Sequence, residues 1–387
     1  MKKKGFVMAA LVGSLLLMAC EQTSLGTGGQ QQPTQQVPGT GASEQPVEEQ
    51  LPYQAEVLAA DLNVPWAIEI AEDGRIFFTE RPGNVRVIAD GKLLEEPLIS
   101  FPAPFVSQGE GGLLGLALDP QFADNHYLYV YHTYREEEQT YNRVLRLREE
   151  ANRAYVDKVL IDRIPGDSIH NGGRIKIGPD QMMYITTGDA SDPQLSQDPA
   201  SLAGKILRLH LDGNIPADNP FPNSPVYSWG NRNPQGIAWN QANGQLYSSE
   251  HGSSAHDEIN RIEKGANYGW PNIRGDEQAD GMKTPIVHSG TTTWAPSGMT
   301  FVSEGPWAGQ LLVANLRGQQ LLRISLEDDT VKEVVPLFPG EYGRIRDVYE
   351  GPDGSLYVLT NNRDGRGNPA QDDDKIIRLV PQFAATP

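Results

Sequence analysis

DVYEGPDGSLYVLTNNRDG (residues 347–365) holds two short runs of alternating apolar and polar residues on either side of a Gly-Pro-Asp-Gly turn. Alternation of period two is the signature of a half-buried strand, and the turn residues join the runs as a hairpin. The same phrase recurs as AIEIAEDGRIFFTERPG (67–83), GLALDPQFADNHYLYVYHTY (115–134), RIKIGPDQMMYITTGDA (174–190), GIAWNQANGQLYSSEHG (236–252) and GMTFVSEGPWAGQLLVANLRG (298–318). The copies return every roughly 45–65 residues, the period of four-stranded units arranged radially. A third strand follows each hairpin: VRVIADG, RVLRLREE, KILRLHLDG, EINRIEKG, LLRISLED and KIIRLV. The pattern predicts an all-β chain, a six-bladed β-propeller of four-stranded antiparallel blades. Such a ring gathers loops from every blade around one axial mouth.

The 387 residues are enough for a large core, and the repeat argues for one closed body over residues 52–380. Forty glycines and 29 prolines suit a chain of many turns and few helices. The formal net charge of −18 repels nucleic acid and anionic lipid surfaces, which excludes those partners.

The N-terminus reads as a targeting segment. Lys2, Lys3 and Lys4 precede the apolar run FVMAALVGSLLLMA, which stops at Cys20 and is short for a spanning helix. LMAC (17–20) resembles a bacterial lipobox, and Cys20 is the sole cysteine, so no intrachain disulfide is possible. Residues 1–20 are expected to be a lipoprotein signal peptide. The mature protein is then extracytoplasmic, in the periplasm or on the outer cell surface, touching membrane only through a lipid anchor on Cys20. Residues 21–50 lack large apolar side chains and read as a disordered tether.

In a propeller blade the innermost strand starts, and the second strand ends, on the same face. Here those positions are polar: GEGG (109–112), HNGGR (170–174), GNRNPQG (230–236) and GRIRD (343–347) precede first strands. TER (79–81), TGDA (187–190), SEHG (249–252), NLRG (315–318) and NNRDG (361–365) follow second strands. One mouth would thus collect Arg232, Arg317, Arg344 and Arg346, with Arg81 and Arg363 at its edge. Singly, each arginine reads equally well as a bridge to a local carboxylate. As a set in an acidic chain they point to a ligand carrying several carboxylates, which guanidinium groups bind in planar pairs. His170, followed by two glycines, is a candidate general base, with His251 next in line. Glu250, Asp257 and Glu258 crowd SEHGSSAHDEINRIEKGANYGWP (249–271), hard oxygen ligands of the kind Ca2+ takes, without the EF-hand spacing.

VPWAIEIAEDGRIFFTER, GEGGLLGLALDPQF, HNGGRI, GNRNPQGIAW, EHGSSAHDEINRIEKGANYGWP and GRIRDVYEGPDGSLYVLTNN together resemble the glucose/sorbosone dehydrogenase family, six-bladed propellers using pyrroloquinoline quinone (PQQ) and Ca2+. The resemblance covers roughly Val57 to Val380 and is closest to the aldose sugar dehydrogenases. It implies a small-molecule aldose substrate oxidised at its C1 hydroxyl to a lactone, and electrons passed to an acceptor the sequence does not name. PQQ bears three carboxylates, which matches the arginine rim. By the family's motifs His170 would be the base, Arg232 and Asn233 would hold the cofactor with Glu110 beside it, and Arg317 stands where the family often has Lys. Arg344 and Arg346 would add charge. Carbonyls of Gly252 and Ser253 would bind the Ca2+ at the quinone, and Glu258 with the Tyr268 carbonyl a second, structural Ca2+. The chain departs from relatives at Glu110, where several have Gln, and at Ser253, where they have Pro. An added carboxylate beside a tricarboxylate needs a compensating cation. Two other classes stay open on the residues alone, a non-catalytic glycan- or protein-binding propeller and a Ca2+-dependent lactonase.

Overall fold

The computed structural model describes residues 51–382; the expected signal peptide, Cys20 and the tether lie outside them. The described chain is nearly all strand, arranged in six antiparallel sheets as the blades of a propeller. The innermost strands are Pro65–Ile70, Leu113–Leu118, Ile175–Ile177, Pro234–Trp239, Pro296–Phe301 and Ile345–Glu350. Each corresponds to the first run of one repeat. In the last blade the hairpin register is Val348↔Val358 and Tyr349↔Tyr357. Its turn closes because the Ser355 amide donates to Asp353 Oδ1 at 3.1 Å and Gly354 takes φ +72°, a left-handed conformation that glycine adopts without steric penalty.

The sequence repeat does not announce how the ring closes. Tyr53–Ala59, ahead of the first repeat, pairs antiparallel with Ile376–Pro381, so the start of the folded chain supplies the outermost strand of the last blade. Main-chain hydrogen bonds between the two ends hold the circle shut and leave no unpaired edge inside it. The first blade differs in another way: its fourth position is split into Lys92–Leu93 and Ile99–Ser100, both on the strand Asn84–Ala89.

Alternation puts one face of each blade against the next. Phe77, Leu116, Tyr129 and Val130 fill the space between early blades, and Leu312, Val348, Val358 and Leu379 that between late ones. The axis is polar but plugged. Arg174 reaches from the third blade to Asp347 of the sixth at 2.7 Å, lies over the Trp66 ring at 4.2 Å, and is 2% exposed. Lys176 meets Glu69 at 2.9 Å nearer the far face. A packed axis makes the mouth a floor-bounded basin.

Candidate functional site

His170 lies where the chain enters the third blade. Its Nδ1 is 2.7 Å from Asp189 Oδ1, at the end of that blade's second strand. A carboxylate only accepts, so Nδ1 is the nitrogen that donates to it, and Nε2 is the ring nitrogen left outside this contact. Asp189 is fully buried and held by a second donor, Trp270 Nε1, at 2.8 Å to Oδ2. The Ser191 amide also donates to Oδ1 at 3.0 Å. The carboxylate therefore has no freedom to turn away from the imidazole. The two loops approach so closely that a side chain at Gly188 would collide with the His170 carbonyl. His170 itself sits at φ +57°, rare for a residue with a Cβ, and is kept there by its neighbours.

The arginines are brought to the same face but not in one state. Arg232 stacks over Trp270 at 5.3 Å, and its Nη1 donates to the Gly252 carbonyl at 2.7 Å. Burial lowers the basicity of Arg232, and its Nε has no partner; Asn233 Nδ2 is likewise buried and unpaired. Arg346 donates to Gln235 Oε1 at 2.6 Å and Asn361 Oδ1 at 2.8 Å, neutral acceptors only. Burial pushes Arg346 down to about 9, with Arg344 and Arg81 repelling it against the opposing pull of Asp364. Arg344 is different: it forks onto Asp364 Oδ2 at 2.6 and 3.0 Å, a local carboxylate. Arg363 is tied to carbonyls of its own loop, those of Asp373 and Gln371. Arg317 is exposed, in the turn after the fifth blade's second strand, with no ion-pair partner among the described residues. The buried Asn233 and Arg346 and the half-buried Arg232 thus present side-chain donors with no carboxylate in direct contact, which an anion would satisfy.

The acidic side chains separate into three places. Glu110 has both oxygens engaged: Oε1 accepts from Arg366 Nη1 at 2.6 Å and Oε2 from the His170 amide at 3.0 Å. Burial pushes its carboxyl up, but His251, the His170 amide and Arg366 outweigh this and hold it at about 2. Burial holds His251 itself at about 4 and leaves it neutral near pH 7, where the amide and Arg366 remain as the stabilisers of Glu110. Asp257 braces the rim, accepting from the amides of Gly252 at 2.8 Å, Trp294 at 2.6 Å and Ala295 at 2.9 Å.

Glu250 and Glu258 face a small cavity of about 10 Å³, bordered also by Gly252, Ser253 and Tyr268. Such a space takes a single ion or water. Burial raises both carboxyls, and the charge of Glu258 raises Glu250 further. Glu250 accepts from Asn231 Nδ2 at 2.8 Å, and Glu258 from the Gly275 amide at 2.7 Å. Two buried carboxylates against one cavity favour a cation there. Among the described residues no three His, Cys, Asp or Glu side chains form a ready cage, so a carbonyl oxygen such as that of Tyr268 would have to complete the shell of an ion there.

Asp189, Trp270 and Arg366 complete the site yet were not singled out from the sequence. TGDA at the end of a second strand carried a signal for Asp189, since that position faces the mouth in every blade. Nothing local marks Trp270 or Arg366 as partners of residues 81 and 256 positions away.

Comparison with known proteins agrees with this geometry. The glucose/sorbosone dehydrogenase family model matches residues 62–377. The chain is 31% identical to quinoprotein glucose dehydrogenase B of Acinetobacter calcoaceticus, over 85% of this chain and 89% of that one. It is 32% identical to an aldose sugar dehydrogenase of Escherichia coli K12, over 80% and 90%. The PQQ-bound aldose sugar dehydrogenase of Streptomyces coelicolor shares its fold with a TM-score of 0.77 at 36% identity, over 85% of this chain and 98% of that one. With the family model spanning all six blades and the mouth residues in place, the chain belongs to the glucose/sorbosone dehydrogenase family.

Proposed function

We propose that this protein is a PQQ- and Ca2+-dependent dehydrogenase that oxidises the C1 hydroxyl of aldose sugars to lactones. The observation that carries the reading is the His170–Asp189 pair beside the half-buried Arg232 and buried Arg346, whose guanidinium groups have no carboxylate in direct contact. Arg232, Asn233 and Arg346 offer the donors a tricarboxylate needs, with the exposed Arg317 adding positive charge, while Arg344 is already paired with Asp364. When bound, PQQ supplies the two-electron acceptor that no side chain here can provide.

The chain's own residues handle the proton. His170 Nε2 takes the hydroxyl proton while the C1 hydrogen leaves as hydride, so the sugar loses two electrons and two protons' worth of hydrogen in one oxidation. Asp189 stabilises the imidazolium that forms and keeps the ring aimed at the basin. Arg346, buried among neutral acceptors, is placed to favour negative charge that develops in the mouth. A cation on the Gly252 carbonyl would take the place now held by Arg232 Nη1 and release that guanidinium toward a carboxylate. Glu258 and the Tyr268 carbonyl would hold a second Ca2+.

The basic and apolar leader ending at Cys20 supports an extracytoplasmic protein held by a lipid anchor, delivering electrons to an acceptor still to be identified. The test is reconstitution of cofactor-free protein with PQQ and Ca2+, followed by dye reduction with glucose and detection of the lactone. PQQ-dependent turnover is expected; no turnover with any aldose rejects the proposal.

A further inference from the structure

We infer that Arg366 and Glu110 are positioning residues, which together fix the backbone of His170 across three blades. The inference rests on the reading of His170 as the base. Glu110 sits in the loop entering the second blade, His170 in the loop entering the third, and Arg366 in the long loop 361–375 of the sixth. The ion pair Arg366–Glu110 at 2.6 Å joins residues 256 apart in sequence and spans the first blade's rim. Glu110 then passes the constraint on, because its other oxygen takes the His170 amide at 3.0 Å.

Both arms are stiff enough to act this way. The Glu110 amide donates to the Ser168 carbonyl at 2.7 Å, which ties its loop to the segment just before His170. Gly109 takes φ +61° where a side chain would collide with that same carbonyl, so the approach of the two loops depends on glycine. Loop 361–375 is braced by its own carboxylates. Asp374 Oδ1 accepts the Asn362 amide at 2.5 Å, Asp373 Oδ2 the Ala370 amide at 2.7 Å, and Asp364 Oδ1 the Arg366 amide at 2.8 Å. Arg366 therefore stands on a built arm.

The need for such a device is visible at His170. Its left-handed backbone is disfavoured, and it is in that conformation that the ring meets Asp189 at 2.7 Å. An exposed ion pair alone contributes little, and the Arg366 side chain is 54% exposed. The Glu110 end is 14% exposed and fixed by a main-chain donor, so the pair's value lies in direction: Arg366 selects which way the Glu110 carboxylate faces.

The test uses cofactor-free full-length protein labelled with 15N-histidine, whose seven histidines are few enough to assign, with His170→Ala identifying the signal. The wild type is expected to show a single Nδ1–H tautomer at His170 and a slowly exchanging amide. Glu110→Ala should speed exchange of that amide about 10- to 100-fold, and Arg366→Ala about tenfold, the scale of losing or loosening a charge-assisted hydrogen bond. Arg366→Lys should restore most of the protection. In reconstituted enzyme Arg366→Ala should lower kcat while KM and PQQ affinity hold. An Arg366→Ala protein with wild-type melting temperature, tautomer and amide exchange overturns the inference. So does a loss of PQQ affinity with His170 signals unchanged, which would make the pair a direct cofactor contact. The histidine signals are read without cofactor, so a protein that oxidises no sugar rejects the proposed function and leaves the positioning question to be decided by exchange alone.

Discussion

The His170 imidazole and the Asp189 carboxylate meet at 2.7 Å although they stand 19 positions apart, one before the innermost strand of the third blade and one after its second strand. The hairpin brings both of its ends to one face, so the pair is a direct product of the repeat that sets the fold. Replacement of His170 by Ala should lower kcat about 10²–10⁴-fold and leave PQQ affinity within a few-fold. Asp189→Asn should fall in the same range, because an amide can present its NH2 to Nδ1 and favour the wrong tautomer. Stopped-flow dye reduction alongside cofactor titration separates the two effects; a His170→Ala enzyme at the parental rate would transfer the role to His251.

Arg344 carries a different expectation. Its fork onto Asp364 is buried at both ends, with side-chain exposures of 7% and 3%. Truncation would leave the Asp364 charge unpaired in a desolvated place, so Arg344→Ala should destabilise the protein by about 3–5 kcal/mol. Urea denaturation of the cofactor-free protein measures this directly. The double replacement Arg344→Met with Asp364→Leu should recover much of the loss, and failure to do so would mean that the loop needs the charges themselves.

The blades were legible because period-two alternation and Asp-Gly turns are local, and the mouth was legible because strand ends are. His170, Arg232 and Arg346 follow from that logic. Partner choice is not local. Four arginines in RIRD and NNRDGR look alike as a string, yet Arg344 is neutralised by Asp364, the exposed Arg363 is held by carbonyls, Arg366 crosses to Glu110, and Arg346 is buried among neutral side-chain acceptors. Ring closure by Tyr53–Ala59 was equally hidden, since a strand in the last blade's sheet need not repeat the pattern that names the blade.

Glu110 sets an acid limit. Its carboxyl is held at about 2 in the folded protein against the usual 4.5. A depressed acid contributes stability that is complete above about pH 4.5 and drains away as pH falls toward 2. Unfolding free energy measured between pH 6 and 2.5 should therefore drop in the wild type, and the drop should be shallower in Glu110→Gln by roughly 1–3 kcal/mol. Parallel curves would show that the carboxylate is not stabilised as its contacts imply.

Ca2+ should act where Glu250 and Glu258 face one cavity. Added to chelator-treated protein, it should raise the melting temperature by several degrees, the scale of about 1–3 kcal/mol for a protein of this size. Glu258→Gln should abolish the Glu258-dependent part of that rise while leaving PQQ affinity in saturating Ca2+ closer to wild type. Calorimetric titration counts the sites: two ions in the wild type and one in the variant are expected, and an unchanged count would remove Glu258 from the ligand set.

Lys205 links stability to the His170–Asp189 pair by a longer route. The side chain is fully buried and its ammonium donates to three carbonyls, those of Leu195 at 2.8 Å, Ser196 at 3.1 Å and Ala203 at 2.7 Å. It serves as a resident cation inside the loop 188–204 that follows Asp189. Gln197 of that loop donates to the Trp270 carbonyl at 2.7 Å, and Trp270 in turn donates to Asp189. Lys205→Met keeps the length of the side chain but removes the Lys205 donor to the Ala203 carbonyl and leaves the Leu195 and Ser196 carbonyls to their main-chain donors, the amides of Asp198 and Gly230. The expected result is a loss of about 1–3 kcal/mol in unfolding free energy, together with faster amide exchange across residues 193–203. Arginine at the same position would retain the charge yet overfill the ring of carbonyls, so Lys205→Arg should also destabilise. A Lys205→Met protein with native stability and native exchange in that loop would show that the carbonyls find other donors and that Trp270 is positioned without the ammonium.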